Sequence, residues 1–265
     1  MSPTEDGDER ELVHGILEGG FRFQLLPTSE VVVIDNFPVT VKALQSFRSK
    51  SILETSALKA LMLLMQKRDN DLCEAHSSVN AEKKSYQERS HCAYFSAETS
   101  TAICVSSNEA ELTKNKLISD IIQNDRMLGK YKSFFPYYWS EMAEWILIII
   151  DRSKSSIRVC YSNFSPVDTS RIESTQKQSK LIEKKFRIFL GKVFSQCESP
   201  PAWKFSIQPP SPIPCDITHQ TESGLFVAYA LECEYFDCPM YATAEDWSFI
   251  RNNFVYWILK KQMPL

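Results

Sequence analysis

Glu144-Trp145-Ile146-Leu147-Ile148-Ile149-Ile150-Asp151 is the stretch that decides how this 265-residue chain folds. Its apolar residues run on without the alternation of a half-exposed strand, the composition of a strand covered on both faces. The run is far short of the roughly 20 residues a membrane-crossing helix needs. Arg152-Ser153-Lys154-Ser155-Ser156 reads as a turn, and Ile157 to Tyr161 alternates as the returning strand. Together they predict a hairpin at the centre of a sheet.

Working outward, Ser133-Phe134-Phe135-Pro136-Tyr137 starts a strand that its proline ends or places at an edge. Phe134, Phe135, Tyr137, Tyr138 and Trp139 are more rings than one strand face holds, because alternate side chains point to opposite faces. Either a helix covers the second face or some of the rings form a docking patch. Beyond the hairpin, Pro166 to Gln178 reads as a polar loop. Leu181 to Phe194 reads as an amphipathic helix with Ile182, Phe186, Phe189, Leu190 and Val193 on one face. Trp203 to Ile207 is a short strand between prolines, and Ser223 to Glu234 a buried helix. Ala244 to Lys260 is a last helix whose Trp247, Phe249, Phe254, Tyr256 and Trp257 do not share one narrow stripe, so it wants a deep core or a partner.

Toward the N-terminus, Phe21 to Phe23 and Val31 to Ile34 read as strands, Val41 to Lys67 as helical and Leu112 to Met127 as a second helix. Residues 68–92 are polar and are expected to form a mobile insertion. Residues 1–10 are expected to be a disordered acidic tail, and residues 11–265 a single domain. With 43% hydrophobic and 24% charged residues and a net charge of -3, the composition is that of a folded protein with no basic surface for nucleic acid. The acidic N-terminus is unlike a secretory signal or presequence, so the chain is expected in the nucleus or cytoplasm without a membrane anchor. Its eight cysteines include no Cys-x-x-Cys pair and are expected to be reduced thiols. Cys233 and Cys238 with His219 would make a weak zinc motif; no metal or cofactor is expected.

Five motifs in order resemble the ULP/SENP cysteine proteases, which cut SUMO and related ubiquitin-like modifiers from their targets. Lys50-Ser51-Ile52-Leu53-Glu54-Thr55 is similar to the family's opening-helix motif. Phe134-Phe135-Pro136 with Glu144-Trp145-Ile146-Leu147 is similar to the strand leading into His-Trp. Ile157 to Ser162 is similar to the strand ending in Asp-Ser, Ser223-Gly224-Leu225-Phe226 to the nucleophile turn Cys-Gly-Val-Phe, and Asp246 to Arg251 to the closing Asp-x4-Arg. The resemblance implies an α+β, papain-like fold of the ULP/SENP type, with a central mixed sheet flanked by helices.

Such a protease needs a thiolate, a histidine base, an aspartate that orients it and a glutamine at the oxyanion. At the corresponding positions this chain carries Ser223, Glu144, Tyr161 (Ser162 or Asn163 with a slip of register) and Ile217, with Gln220 nearby. All four groups are substituted, which implies a pseudoprotease acting as a protein-interaction or scaffold subunit. The alternatives are a reader of SUMO or another ubiquitin-like modifier, and a divergent isopeptidase using Ser223 or a relocated Cys215–His219 pair. Trp145 stands where the family walls the tunnel for a modifier's tail, or it packs in the core; the opposite wall reads as Ile52. Candidate protein-binding residues are Trp145, Trp139, Tyr138, Trp247 and Trp257.

Overall fold

The computed structural model describes residues 11–17, 27–79, 92–124, 127–162, 169–195, 197, 201–208, 222–243 and 245–264. The acidic tail, the strand expected at Phe21 to Phe23, and Cys215, Ile217, His219 and Gln220 lie outside these residues. In chain order the elements are α1 (residues 11–17), β1 (Glu30–Ile34), β2 (Phe37–Thr40), α2 (Val41–Gln45), α3 (Thr55–Val79), β3 (Cys92–Tyr94), α4 (Ala97–Val105), α5 (Glu109–Lys114) and α6 (Lys116–Gln123). They continue with β4 (Lys132–Trp139), β5 (Glu144–Asp151), β6 (Ser156–Tyr161), α7 (Thr169–Val193), β7 (Lys204–Gln208), α8 (Ser223–Tyr235) and α9 (Asp246–Lys260). The chain divides into two compact units, Met1–Arg68 with Ile213–Leu265, and Asp69–Pro212, the first division falling within α3.

The second unit is built on a five-stranded mixed sheet in the order β3-β4-β5-β6-β7. β3 runs parallel to β4 and β7 parallel to β6, while the inner pairings, β4 with β5 and β5 with β6, are antiparallel. The β5–β6 hairpin therefore sits at the centre, as expected, and every residue of β5 is buried. Asp151 shapes its turn by accepting bonds from the Ser153 hydroxyl (2.7 Å) and the Lys154 amide (3.1 Å).

Pro136 sits inside β4 without breaking the sheet. The Phe134 carbonyl accepts the Phe95 amide on the β3 side, so Pro136, two residues on, faces that same side. The β3 pairing ends at Phe134, and the ladder to β5 continues through Pro136 opposite Leu147 to Trp139 opposite Glu144. The absent N–H costs the sheet no bond.

One face of the sheet carries Phe135, Trp139, Ile146, Ile148, Ile150, Ile157, Val159 and Tyr161 into a core shared with α4, α6 and α7. Phe135 stacks on Phe95 (centroids 4.4 Å apart) and meets Phe186 and Phe189 edge-on. The opposite face carries Phe134, Leu147, Ile149 and Cys160, buried as well. Both faces are thus covered, and of the five-ring cluster only Tyr137 and Tyr138 are left half-buried.

Four expectations are corrected. The polar stretch from Arg68 onward is helical as far as Val79, because Arg68 and Asp69 are buried and Asp69 accepts the Cys92 amide at 3.1 Å. The loop expected up to Gln178 is helix from Thr169, its Thr175, Gln178 and Ser179 buried against the core. The helix expected over Leu112 to Met127 is two, joined at Asn115, which ends α5 and caps α6 by accepting the Leu117 amide (3.0 Å). Likewise α2 and α3 are separate, because Ser46 closes α2 onto the Ala43 carbonyl and then accepts the Glu54 amide. The sequence reading also left out β3 and α4.

In the first unit, β1 and β2 form a hairpin whose Asp35 and Asn36 both have positive φ, 47° and 64°, the two-residue turn that suits strand twist. α8 is buried for most of its length, and α9 buries Trp247, Phe254, Val255 and Ile258. These four lie at i, i+7, i+8 and i+11 and form one buried stripe, which only two of the helix's five rings join. Its remaining rings flank the stripe or, at Phe249, leave it.

Candidate active site

Within the second unit, Glu144 opens β5 at 1% exposure, and its Oε1 accepts the Ser162 hydroxyl at 2.7 Å. The register that pairs Ile146 with Tyr161 brings the two residues together from adjacent strands. The position that the family resemblance assigns to the base is thus joined, as a carboxylate, to a serine hydroxyl. Ser162, one of the register alternatives, is the residue that meets Glu144.

Tyr161, on the sheet face that carries Ile146 and Trp139, belongs to the core. The Ser179 hydroxyl gives its one hydrogen to the Thr175 carbonyl (2.7 Å), so the Tyr161 O–H must donate to Ser179 (2.7 Å). Burial foremost, with a smaller contribution from the Glu144 charge, pushes the phenol well above its ordinary value. It neither titrates near neutrality nor presents an anion to orient a base.

Trp145 follows Glu144 at 2% exposure with its ring 5.3 Å from that of Tyr138, and Trp139 lies edge-on to Tyr161. Of the candidate binding residues, Trp139, Trp145 and Trp247 are buried, while Tyr138 and Trp257 are half-buried.

Within the first unit, Ser223 is the first residue of α8 and is itself buried. The residue before it carries a network that sequence reasoning missed. The Glu222 carboxylate accepts the Ser49 hydroxyl (3.3 Å) and the Lys50 amide (3.2 Å) and pairs with Arg251 of α9. Lys50 adopts a left-handed conformation there, with φ 61°. A negative charge at this helix end also suits the helix dipole. The closing Asp-x4-Arg motif therefore divides its work: Arg251 holds Glu222, and Asp246 starts α9 by accepting the Thr243 amide and hydroxyl at 2.7 and 2.8 Å. The only signal in the sequence was an acid directly before Ser223 and the motif's arginine.

A solved C-terminal Ulp1 protease domain, in complex with Smt3, the yeast ortholog of SUMO, matches with a TM-score of 0.64 over 96% of this chain and 94% of that one, at 14% identity. The fold is that of the Ulp1 protease domain. The Chaetomium thermophilum Ulp1-like SUMO protease catalytic domain matches with a TM-score of 0.62, covering 100% of this chain and 92% of that one at 13% identity. A Ulp1 structure whose catalytic cysteine is oxidised to a sulfonic acid gives 0.64 over 96% and 95% at 12% identity. No family model and no curated protein matches the sequence. The α+β papain-like class with a central mixed sheet is therefore correct.

Among the described residues, no group of three His, Cys, Asp or Glu side chains could hold a metal ion. No described helix is long and apolar enough to cross a membrane. Among the described residues, the exposed aromatic side chains are Phe236 at the end of α8, Tyr241 beyond it, Phe249 on α9 (67% exposed) and Tyr131 before β4.

Proposed function

We propose that this chain is a Ulp1-like pseudoprotease, a peptidase fold without peptidase chemistry that works by binding protein in the nucleus or cytoplasm. The observation that carries the reading is the buried Glu144 carboxylate held by the Ser162 hydroxyl. The family's base is an imidazole, which takes the proton on one nitrogen while an acid holds the other; a carboxylate bonded to the Ser162 hydroxyl has no such second nitrogen. Ser223, at the nucleophile's position, is a hydroxyl, and a hydroxyl without a positioned base is a weak nucleophile. Binding would then rest on aromatic anchors. Tyr138, Trp257 and the exposed Phe236, Tyr241 and Phe249 are the candidates, with Trp139, Trp145 and Trp247 supporting them from the packing.

The test is incubation of the chain with SUMO- and ubiquitin-vinyl sulfone probes, with an active Ulp1 domain as the positive control. No adduct is expected. An adduct at Ser223 or Cys215 would reverse the reading in favour of a divergent isopeptidase.

A second reading is favoured by one observation, that the matched Ulp1 domain was solved with Smt3 bound. The chain would then be a reader of SUMO or a related modifier. Calorimetric titration with SUMO decides it: saturable binding weakened by Trp145→Ala supports a reader, and no heat removes that role. In the absence of modifier binding, purification from native extract names the partner of the scaffold.

A further inference from the structure

α8 ends in a way that brings two thiols together. Asp237, just past the helix, has φ 51°, the Phe236 amide bonds to the Glu232 carbonyl (3.3 Å), and the Cys238 amide reaches back to the Cys233 carbonyl (3.0 Å). A six-residue bond closed by a left-handed residue is the Schellman end of a helix, in which side chains of the last turn and of the residue two past the cap lie against each other. Here both positions are cysteines. The Cys238 thiol donates to the Cys233 carbonyl oxygen at 3.5 Å, which holds its sulfur beside the residue that carries the second thiol. The segment beyond is pinned as well, because the Tyr229 hydroxyl donates to the Tyr241 carbonyl (2.6 Å).

We propose that Cys233 and Cys238 are a peroxide-modifiable pair that forms a reversible disulfide across the end of α8. The two sulfurs differ in access, which orders the chemistry. Cys238 is exposed and Cys233 buried. Burial keeps oxidant from reaching Cys233 first and, before any neighbour, pushes its thiol up to about 12, so its proton is still in place when Cys238 is oxidised. Hydrogen peroxide therefore meets Cys238. Its sulfur attacks one peroxide oxygen, the O–O bond breaks, and Cys238 sulfenic acid and one water result. The Cys233 sulfur then attacks the Cys238 sulfur, the S–O bond breaks, and the hydroxyl leaves as water with the Cys233 proton. In sum, two thiols and one peroxide give one disulfide and two waters, a two-electron oxidation. A cellular dithiol reverses it by exchange. The disulfide would tie down the α8–α9 connection, which carries the exposed Phe236 and Tyr241.

The test is peptide mapping of the full chain after brief peroxide treatment and alkylation, using a protease that cuts after glutamate. Cleavage after Glu234 separates the two cysteines, so the disulfide appears as a linked peptide pair lacking two hydrogens. The linked pair is expected, and is expected to vanish on dithiothreitol treatment. Cys238→Ser, a surface change, should abolish it. Cys233→Ser should replace it with a sulfenic acid on Cys238 that dimedone traps. The proposal is overturned if the treated native chain yields both cysteines alkylated, Cys238 over-oxidised without a link, or Cys238 linked to another cysteine such as Cys215. Because the native chain alone distinguishes these products, the result does not depend on either variant folding.

Discussion

Glu144 and Ser162 occupy a place where a charge can be buried only if it is held. Ser162→Ala removes one donor from a buried carboxylate and should cost about 1–3 kcal/mol, read as a lower urea midpoint at unchanged slope. Tyr161 and Cys104 make a second residue-scale prediction. Burial raises both groups, Cys104 from 9.0 to about 12 even though the nearby Lys185 charge works to lower it. A thiol whose pKa is raised by folding stays protonated in the native state while the unfolded chain ionises. Its contribution is therefore whole below pH 9 and lost as pH climbs from there to about 12. The phenol does the same from 10 upward. Denaturant unfolding measured against pH should show stability falling through this alkaline window, and Cys104→Ala should make the fall shallower. A fall equally steep in the variant would remove Cys104 from the account.

α3 shows how an element outlasts its own propensity. Arg68 is buried, with its guanidinium bidentate on Glu232 at 2.5 and 2.8 Å and lying 4.5 and 4.8 Å from the Tyr235 and Phe236 ring centres. Arg68→Met would leave Glu232 without that partner and should cost roughly 3–5 kcal/mol. Arg68→Met with Glu232→Met removes both charges and should recover much of the loss, which a double-mutant cycle in urea would measure. At the α5–α6 joint, Asn115 both ends one helix and caps the next. Asn115→Ala should lower stability by about 1 kcal/mol, whereas Asn115→Asp should nearly preserve it, as thermal unfolding would show.

Across the whole molecule, β5 is the strand bordered by antiparallel partners on both sides and buried along its entire length. Its Ile146 to Ile150 amides should open only with global unfolding. In native-state hydrogen exchange they should form the slowest group, slower than β3 and β7 at the two edges of the sheet. Exchange of β5 as fast as β7 would contradict a core centred on this strand. The pairings of β3 with β4 and β6 with β7 are parallel and join distant segments. They must be closed at the entropic expense of long loops, which favours slow folding.

The central hairpin, the buried α8 and the Leu181 to Phe194 end of α7 were legible in the sequence because each is set by a local apolar pattern. So was the order of motifs that resembles a protease. The polar half of α3 and the start of α7 were not, since their Arg68, Asp69, Thr175 and Ser179 are held by bonds to residues elsewhere in the chain or to the core. A window of sequence contains the side chain but not its partner. Sequence alone carried the resemblance that implies Glu144 and Ser223 stand where the family has histidine and cysteine. Only the folded hairpin decided that the Ser162 hydroxyl bonds to Glu144, and only packing decided which aromatic side chains reach solvent, because pairing and burial depend on residues that a short window of sequence does not contain.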